Sequence, residues 1–174
     1  STVDVTCNND TDGKIFLTVT LQSGGTIYGI DWDIDNFIGS VPGDLDGPDN
    51  LIETDLPPGV YFVRITDSTN GCVTLHSDTV FEPAALSVTA TKVQDVTCNG
   101  DADGSISTAV TGGTTDYTYL WDDVSAQTTS TAVGLSPGDY TVTVTDANNC
   151  VETSSTVTIT QPVVLSASAT KVQD

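Results

Sequence analysis

Two heptapeptides of this chain, CNNDTDG at Cys7 to Gly13 and CNGDADG at Cys98 to Gly104, place Asn, Asp, Asp and Gly in one N-x-D-x-D-G register. Alternating oxygen-bearing side chains in a tight turn suit calcium, a hard cation that takes about six to eight oxygen ligands, and a glycine in sixth place allows a sharp bend. An EF-hand would add a bidentate Glu in twelfth place, but Val19 and Val110 stand there. The remaining ligands must come from elsewhere. Asp67 in ITDSTNGC and Asp146 in VTDANNC are the candidates. The expected calcium sets are Asn8, Asp10 and Asp12 with Asp67, and Asn99, Asp101 and Asp103 with Asp146. The alternative is a polar turn in which Asn and Asp side chains bond nearby backbone amides.

Cysteines sharpen that expectation, because each heptapeptide opens on one and each of the two distant aspartates lies a few residues before another. Four cysteines allow three connectivities. A repeat that closes on itself pairs Cys7 with Cys72 and Cys98 with Cys150, which would draw Asp67 and Asp146 toward the acidic loops. Free buried thiols are the alternative. The cysteine spacing fits no zinc motif and suggests an oxidising, extracellular setting.

The elements that must carry these residues are themselves duplicated. VTCNNDTDGKI matches VTCNGDADGSI, YGIDWD matches YTYLWD, and LPPGVYFVRITDSTNGCV matches LSPGDYTVTVTDANNCV, in one order. After Pro83 and Pro162 the chain again runs alike, as ALSVTATKVQD and VLSASATKVQD. Residues 1–83 and 84–162 are therefore read as two repeats, and 163–174 as the first strand of another, a window from a longer tandem array. Alternating apolar and polar residues mark strands at LSVTA, SISTAV, YTYLW, STAVGL, YTVTVT and STVTIT, separated by Gly, Pro, Asn and Asp. About seven short strands per copy predict an all-β fold of two tandem immunoglobulin-like Greek-key β-sandwiches. Trp32 and Trp121 are expected between the sheets, and Tyr61 and Tyr140, each two residues after a Pro-Gly or one after Gly-Asp in a strand entrance, resemble the tyrosine corner of such sandwiches.

With 24 acidic and 4 basic residues, the chain excludes nucleic acid and anionic membrane surfaces as partners. Its 37% hydrophobic content is that of a folded body, not of a disordered acidic tail. No stretch has membrane-spanning length, so no direct membrane insertion is expected. Enzymatic signals are weak: His76 is the sole histidine and is read as an ordinary exposed side chain, and neither G-x-S-x-G nor H-E-x-x-H occurs. The copies differ most at about residues 33–55, an acidic insertion in the first repeat where Asp44, Asp46, Asp49 and Asn50 are candidates for a second cation site. Otherwise that loop is an acidic flap.

Taken together, V-T-C-N-G-x-x-D-G, G-G-T-x-x-Y-T-Y-x-W, G-L-x-P-G-x-Y-T-V-T-V-T-D-A-N-x-C and T-I-T-x-P, nearly complete over Val96 to Pro162, resemble the SprB repeat family. Val5 to Pro83 follow the pattern with departures: the insertion, Ile30 and Asp31 before the tryptophan, and a longer stretch before Gly24 and Gly25. The resemblance implies a secreted, non-catalytic repeat of a large cell-surface adhesin of gliding Bacteroidota, exported by the type IX route, its repeats forming a stalk. Its expected partners are neighbouring repeats and, beyond them, surface polysaccharide or other adhesin subunits. The competing expectation is a calcium-dependent module that binds carbohydrate or protein through the acidic insertion. With Phe37 the one obvious aromatic in that insertion, the sequence favours the spacer.

Overall fold

The computed structural model describes residues 1–19, 27–33, 52–67 and 71–171. Most of the acidic insertion, with Asp44, Asp46, Asp49 and Asn50, lies outside the described residues, as does the side chain of Trp32. The chain divides into two compact units, Ser1–Ala84 and Ala85–Asp174. Every described element is a strand.

In the second unit, β7 (Ser87–Gln94), β8 (Gly104–Thr111) and β10 (Thr131–Leu135) form one antiparallel sheet in the order β10-β8-β7. β9 (Thr118–Trp121), β12 (Val142–Thr145) and β13 (Val151–Thr153) form a second, ordered β13-β12-β9, and β11 (Gly138–Tyr140) pairs with β14 (Val157–Ile159). The chain therefore crosses between sheets after β8 and again around β10. The alternation seen in the sequence drives this: Ile106, Ala132 and Leu135 from one sheet meet Trp121, Val142 and Val144 from the other and Ile159 from β14, and all are buried. Trp121 is 1% exposed, and its Nε1 donates to Thr129 O at 2.8 Å, so the indole fills the core with its polar edge satisfied.

The first unit repeats the plan. β1 (Thr2–Val3), β2 (Gly13–Phe16) and β4 (Ile52–Leu56) form one sheet, and β3 (Ile27–Asp33), β5 (Gly59–Asp67) and β6 (Val73–Val80) the other. Trp32 is in register with Val63, as Trp121 is with Val142. Both tyrosines make the corner bond that the sequence suggested. Tyr61 Oη donates to Pro57 O at 2.6 Å and Tyr140 Oη to Ser136 O at 2.9 Å. Burial raises both phenols above their ordinary range, with Asp123 and Asp122 adding to the effect at Tyr140.

One expected strand is broken. YTVTVT divides at Thr141, where Asp122 replaces the ladder: Thr141 N donates to Asp122 Oδ1 at 2.9 Å and Thr141 Oγ1 to Oδ2 at 2.8 Å. Its neighbour breaks at Ser154, whose Oγ accepts from Val142 N at 3.2 Å. A carboxylate or hydroxyl at those points competes with backbone pairing. In the first unit β5 and β6 pair without a break from Gly59↔Val80 to Thr66↔Val73.

Candidate functional site

The acidic heptapeptides form the turns that lead into β2 and β8. In each, a backbone bond closes the turn: Asp10 N donates to Cys7 O and Asp101 N to Cys98 O, both at 3.1 Å. Asn9 and Gly100 occupy the left-handed position, with φ of 64° and 88°, which explains Asn in one copy and Gly in the other. Asp103 then turns back onto Thr97, accepting from Thr97 N at 2.9 Å on Oδ1 and from Thr97 Oγ1 at 2.6 Å on Oδ2. In the first copy Thr6 N donates to Asp12 Oδ1 at 2.9 Å, and Thr6 Oγ1 donates to Asp12 Oδ2 while lying 3.3 Å from Asp10 Oδ2. The Thr97 hydroxyl and N–H hold the Asp103 carboxyl below the ordinary carboxylate range, and Thr6 does the same for Asp12.

Asn8 and Asn99 point the other way, to the end of their own repeat. Asn8 Nδ2 donates to Pro83 O at 3.2 Å and to Glu82 Oε2 at 3.0 Å, and Asn99 Nδ2 to Pro162 O at 3.0 Å. Asn9 N reaches Glu82 Oε2 and Gly100 N reaches Gln161 Oε1, both at 3.0 Å. Each turn thus clasps the segment by which the chain leaves the repeat.

Asp67 and Asp146 do not join these turns. Asp146 lies beside Gly113 and Thr114, past the far end of β8 from Asp103: its Oδ2 accepts from Thr114 N at 2.8 Å, and its Oδ1 from Asn148 N at 2.8 Å and Cys150 N at 2.9 Å. Burial opposes its charge, but the N–H groups of Thr114, Cys150 and Asn148 outweigh that and hold the carboxyl low. Asp67 ends β5, whose first residue, Gly59, is in register with Val80 beside Gly13. Strands of eight and nine residues separate the two ends by about 23 to 26 Å at 3.3 Å per residue. The expected sets Asn8, Asp10, Asp12 with Asp67 and Asn99, Asp101, Asp103 with Asp146 are therefore not assembled. The residues do not fit the calcium shell proposed for them, and the polar-turn alternative describes them. Among the described residues no three His, Cys, Asp or Glu side chains are grouped to hold a metal.

The same distance corrects the cysteine pairing. Cys7 and Cys98 belong to the turns, whereas Cys72 and Cys150 follow Asp67 and Asp146 at the opposite end. Cys98 is an exposed thiol. The expected partners Cys7 and Cys72, like Cys98 and Cys150, are placed at opposite ends of their own unit. A disulfide needs Cα atoms within about 7 Å.

The motif's glycine also has a different task from the one expected. Gly13 and Gly104 are buried at the start of β2 and β8. A Cβ on Gly104 would lie 2.7 Å from Ile159 Cγ2 and 2.9 Å from Leu135 O, and one on Gly13 2.5 Å from Val80 Cγ1 and 2.7 Å from Leu56 O. Packing against the last strand, not turn conformation, requires Gly here.

Reading by residue type passed over two contributors. Asp95 Oδ1 accepts from Thr160 N at 2.6 Å and Asp4 Oδ1 from Phe81 N at 2.9 Å, tying each turn to the last strand of its repeat. Asp95 also meets Lys92 Nζ at 2.9 Å. The signal was present: D-V-T-C is identical at Asp4 to Cys7 and Asp95 to Cys98. His76 is exposed beside an open hollow of about 300 Å³ bordered by Phe16, Leu17, Val63, Ile65 and Asp78.

Two three-stranded sheets facing one another, with a tyrosine corner and a core tryptophan, define the second unit as an immunoglobulin-like β-sandwich. Residues 90–126, within the second unit, match the model of the SprB repeat. No curated protein sequence matches. Among solved structures, the three N-terminal domains of the bacteriophage RB49 highly immunogenic outer capsid protein (Hoc) align at 16% identity and a TM-score of 0.58 over 92% of this chain. The chain spans 57% of that chain's length. The amphioxus IgVJ-C2 molecule aligns at 12% identity and a TM-score of 0.41, over 90% of this chain and 100% of its own.

Proposed function

We propose that this chain supplies non-catalytic structural repeats to the stalk of a surface adhesin. The carrying observation is the use to which the acidic side chains are put. Asp12, Asp103, Asp122 and Asp146 spend their oxygens on backbone and hydroxyl donors of their own repeat, and Asn8 and Asn99 clasp the exit segment. Side chains committed to holding a fold are not arranged around a substrate. The second unit also receives the chain beside Asp146 and releases it beside Asn99, at the other end, which suits serial repetition. The match of residues 90–126 to the SprB repeat supports a cell-surface location, gliding attachment and type IX export. Calcium is not needed for this reading, because Asp67 and Asp146 stand at the opposite end of each unit from the acidic turns.

The test is saturable binding. The whole chain, labelled and applied with calcium to arrays of polysaccharides and extracellular proteins, is expected to bind none. Saturable binding abolished by Asp44→Ala and Asp46→Ala would replace the stalk by the binding-module reading.

A further inference from the structure

The two turns that clasp an exit segment meet the same demands with different residues. Each takes an asparagine as donor, since Asn8 Nδ2 bonds Pro83 O and Asn99 Nδ2 bonds Pro162 O. Each then takes a residue that tolerates positive φ, Asn9 at 64° in the first copy and Gly100 at 88° in the second. The second clasp is therefore built on an Asn-Gly step and the first on Asn-Asn. Asn99 and Gly100 are exposed, and a Cβ on Gly100 would meet nothing within 4 Å, so no neighbour covers the step.

An asparagine followed by glycine is open to attack on its side-chain amide by the next backbone nitrogen, because glycine puts no Cβ in the way. Here the exit segment holds both reacting groups. The Asn99 amide donates to Pro162 O and the Gly100 N–H to Gln161 Oε1, each at 3.0 Å. Reaction requires both bonds to open, and local openings of this size occur within the native state. We propose that Asn99 is a site of spontaneous deamidation, gated by the exit clasp and destroying that clasp when it occurs.

Gly100 N gives its proton to water or hydroxide and bonds Asn99 Cγ, the bond from Cγ to Nδ2 breaks, and Nδ2 leaves as ammonia. Water then opens the cyclic imide at either carbonyl to give aspartate or isoaspartate, so the net change consumes a water and releases an ammonia. Neither product remakes the clasp. A carboxylate has no hydrogen to donate to Pro162 O, and isoaspartate adds a methylene to the backbone ahead of Gly100, which displaces its N–H from Gln161. In the first copy the Asn9 side chain hinders the same attack, so the second repeat loses its clasp while the first keeps its own. The modification is independent of any ligand the repeats bind.

The whole chain is incubated at mildly alkaline pH beside a synthetic peptide of residues 93–117, which has no exit segment to hold it. Trypsin after Lys92 and chymotrypsin after Tyr117 then release 93–117 from the chain, and Asn99 is its sole asparagine, so fragment masses read conversion of amide to acid at this site. The free peptide should convert fastest and the parent chain slowly. Gln161→Ala removes the acceptor of the Gly100 N–H and should convert about fivefold faster than the parent, the population change that one hydrogen bond of ordinary net strength confers. Gly100→Asn, which copies the first repeat, should convert more slowly than the parent. The converted chain, separated by its added negative charge, should melt below the parent, as should Asn99→Asp. Equal rates in the peptide and the parent would overturn the gating, a Gln161→Ala chain that stays unmodified would overturn the site, and a converted chain that melts with the parent would overturn the loss of the clasp.

Discussion

Asp103 and Thr97 hold one another at two points, N–H to Oδ1 at 2.9 Å and Oγ1 to Oδ2 at 2.6 Å. Asp12 and Thr6 repeat the arrangement in the other copy. The pair closes the polar turn from within. It makes this acidic motif a structural clasp, from which several expectations about stability follow.

Replacing Asp103 with Ala removes the acceptor of both Thr97 donors, and replacing Thr97 with Val removes one donor only. Thermal melts should rank parent above Thr97→Val above Asp103→Ala. The double variant should be no worse than Asp103→Ala alone, because the two residues act as a unit. Additive losses would mean that the two residues are not coupled.

Acid should unfold the protein late and steeply. Hydrogen-bond donors hold the carboxyls of Asp12, Asp95, Asp103, Asp123 and Asp146 below the ordinary carboxylate range, at Asp123 and Asp146 against the opposing effect of burial. A carboxyl whose pKa is depressed on folding contributes stability that is complete above its unfolded value and is lost as pH falls through the folded one. The melting temperature should therefore hold level from neutrality to about pH 5 and drop below about pH 4. A decline centred near pH 6 would point to a different titrating group.

Asp146 is 5% exposed and accepts three backbone N–H groups. Its change to Ala would orphan them in a buried turn, at a cost of roughly 2 to 4 kcal/mol by denaturant titration. Asp146→Asn retains one acceptor oxygen and should cost less. Equal losses would argue against the bonding described.

Gly104→Ala places a methyl group 2.7 Å from Ile159 Cγ2. Overpacking of this kind costs about 1 to 3 kcal/mol. The companion change Ile159→Val shortens a neighbouring side chain and leaves Cγ2 in place, so it should not rescue the variant, whereas Ile159→Ala should recover part of the loss. No loss in Gly104→Ala would show that the close approach to Ile159 does not require glycine.

Much of this architecture was legible in the sequence, since it followed from periodicity. Alternation placed the strands of the second repeat, and the Pro-Gly and Ser-Pro-Gly stretches before Tyr61 and Tyr140 marked the corners. The site was less legible. N-x-D-x-D-G specifies which atoms are available but not what they face, and Thr6 and Thr97, which take up the carboxylates, are ordinary β-strand residues by composition. Cys7 matches Cys98 and Cys72 matches Cys150, but these repeat positions say nothing of which end of a sandwich each occupies. That is decided by β5 and β8 running the full length between them, a tertiary fact carried by strand direction.

The central claim, that these turns are clasps made by the chain itself, is tested most directly by melting the oxidised protein in excess calcium and again in excess chelator. A calcium ion bound at about a hundred times its Kd would add about 2.7 kcal/mol, a readily visible shift. The account predicts superimposable melting curves. A higher melting temperature in calcium, lost in an Asp101→Ala, Asp103→Ala variant, would contradict it.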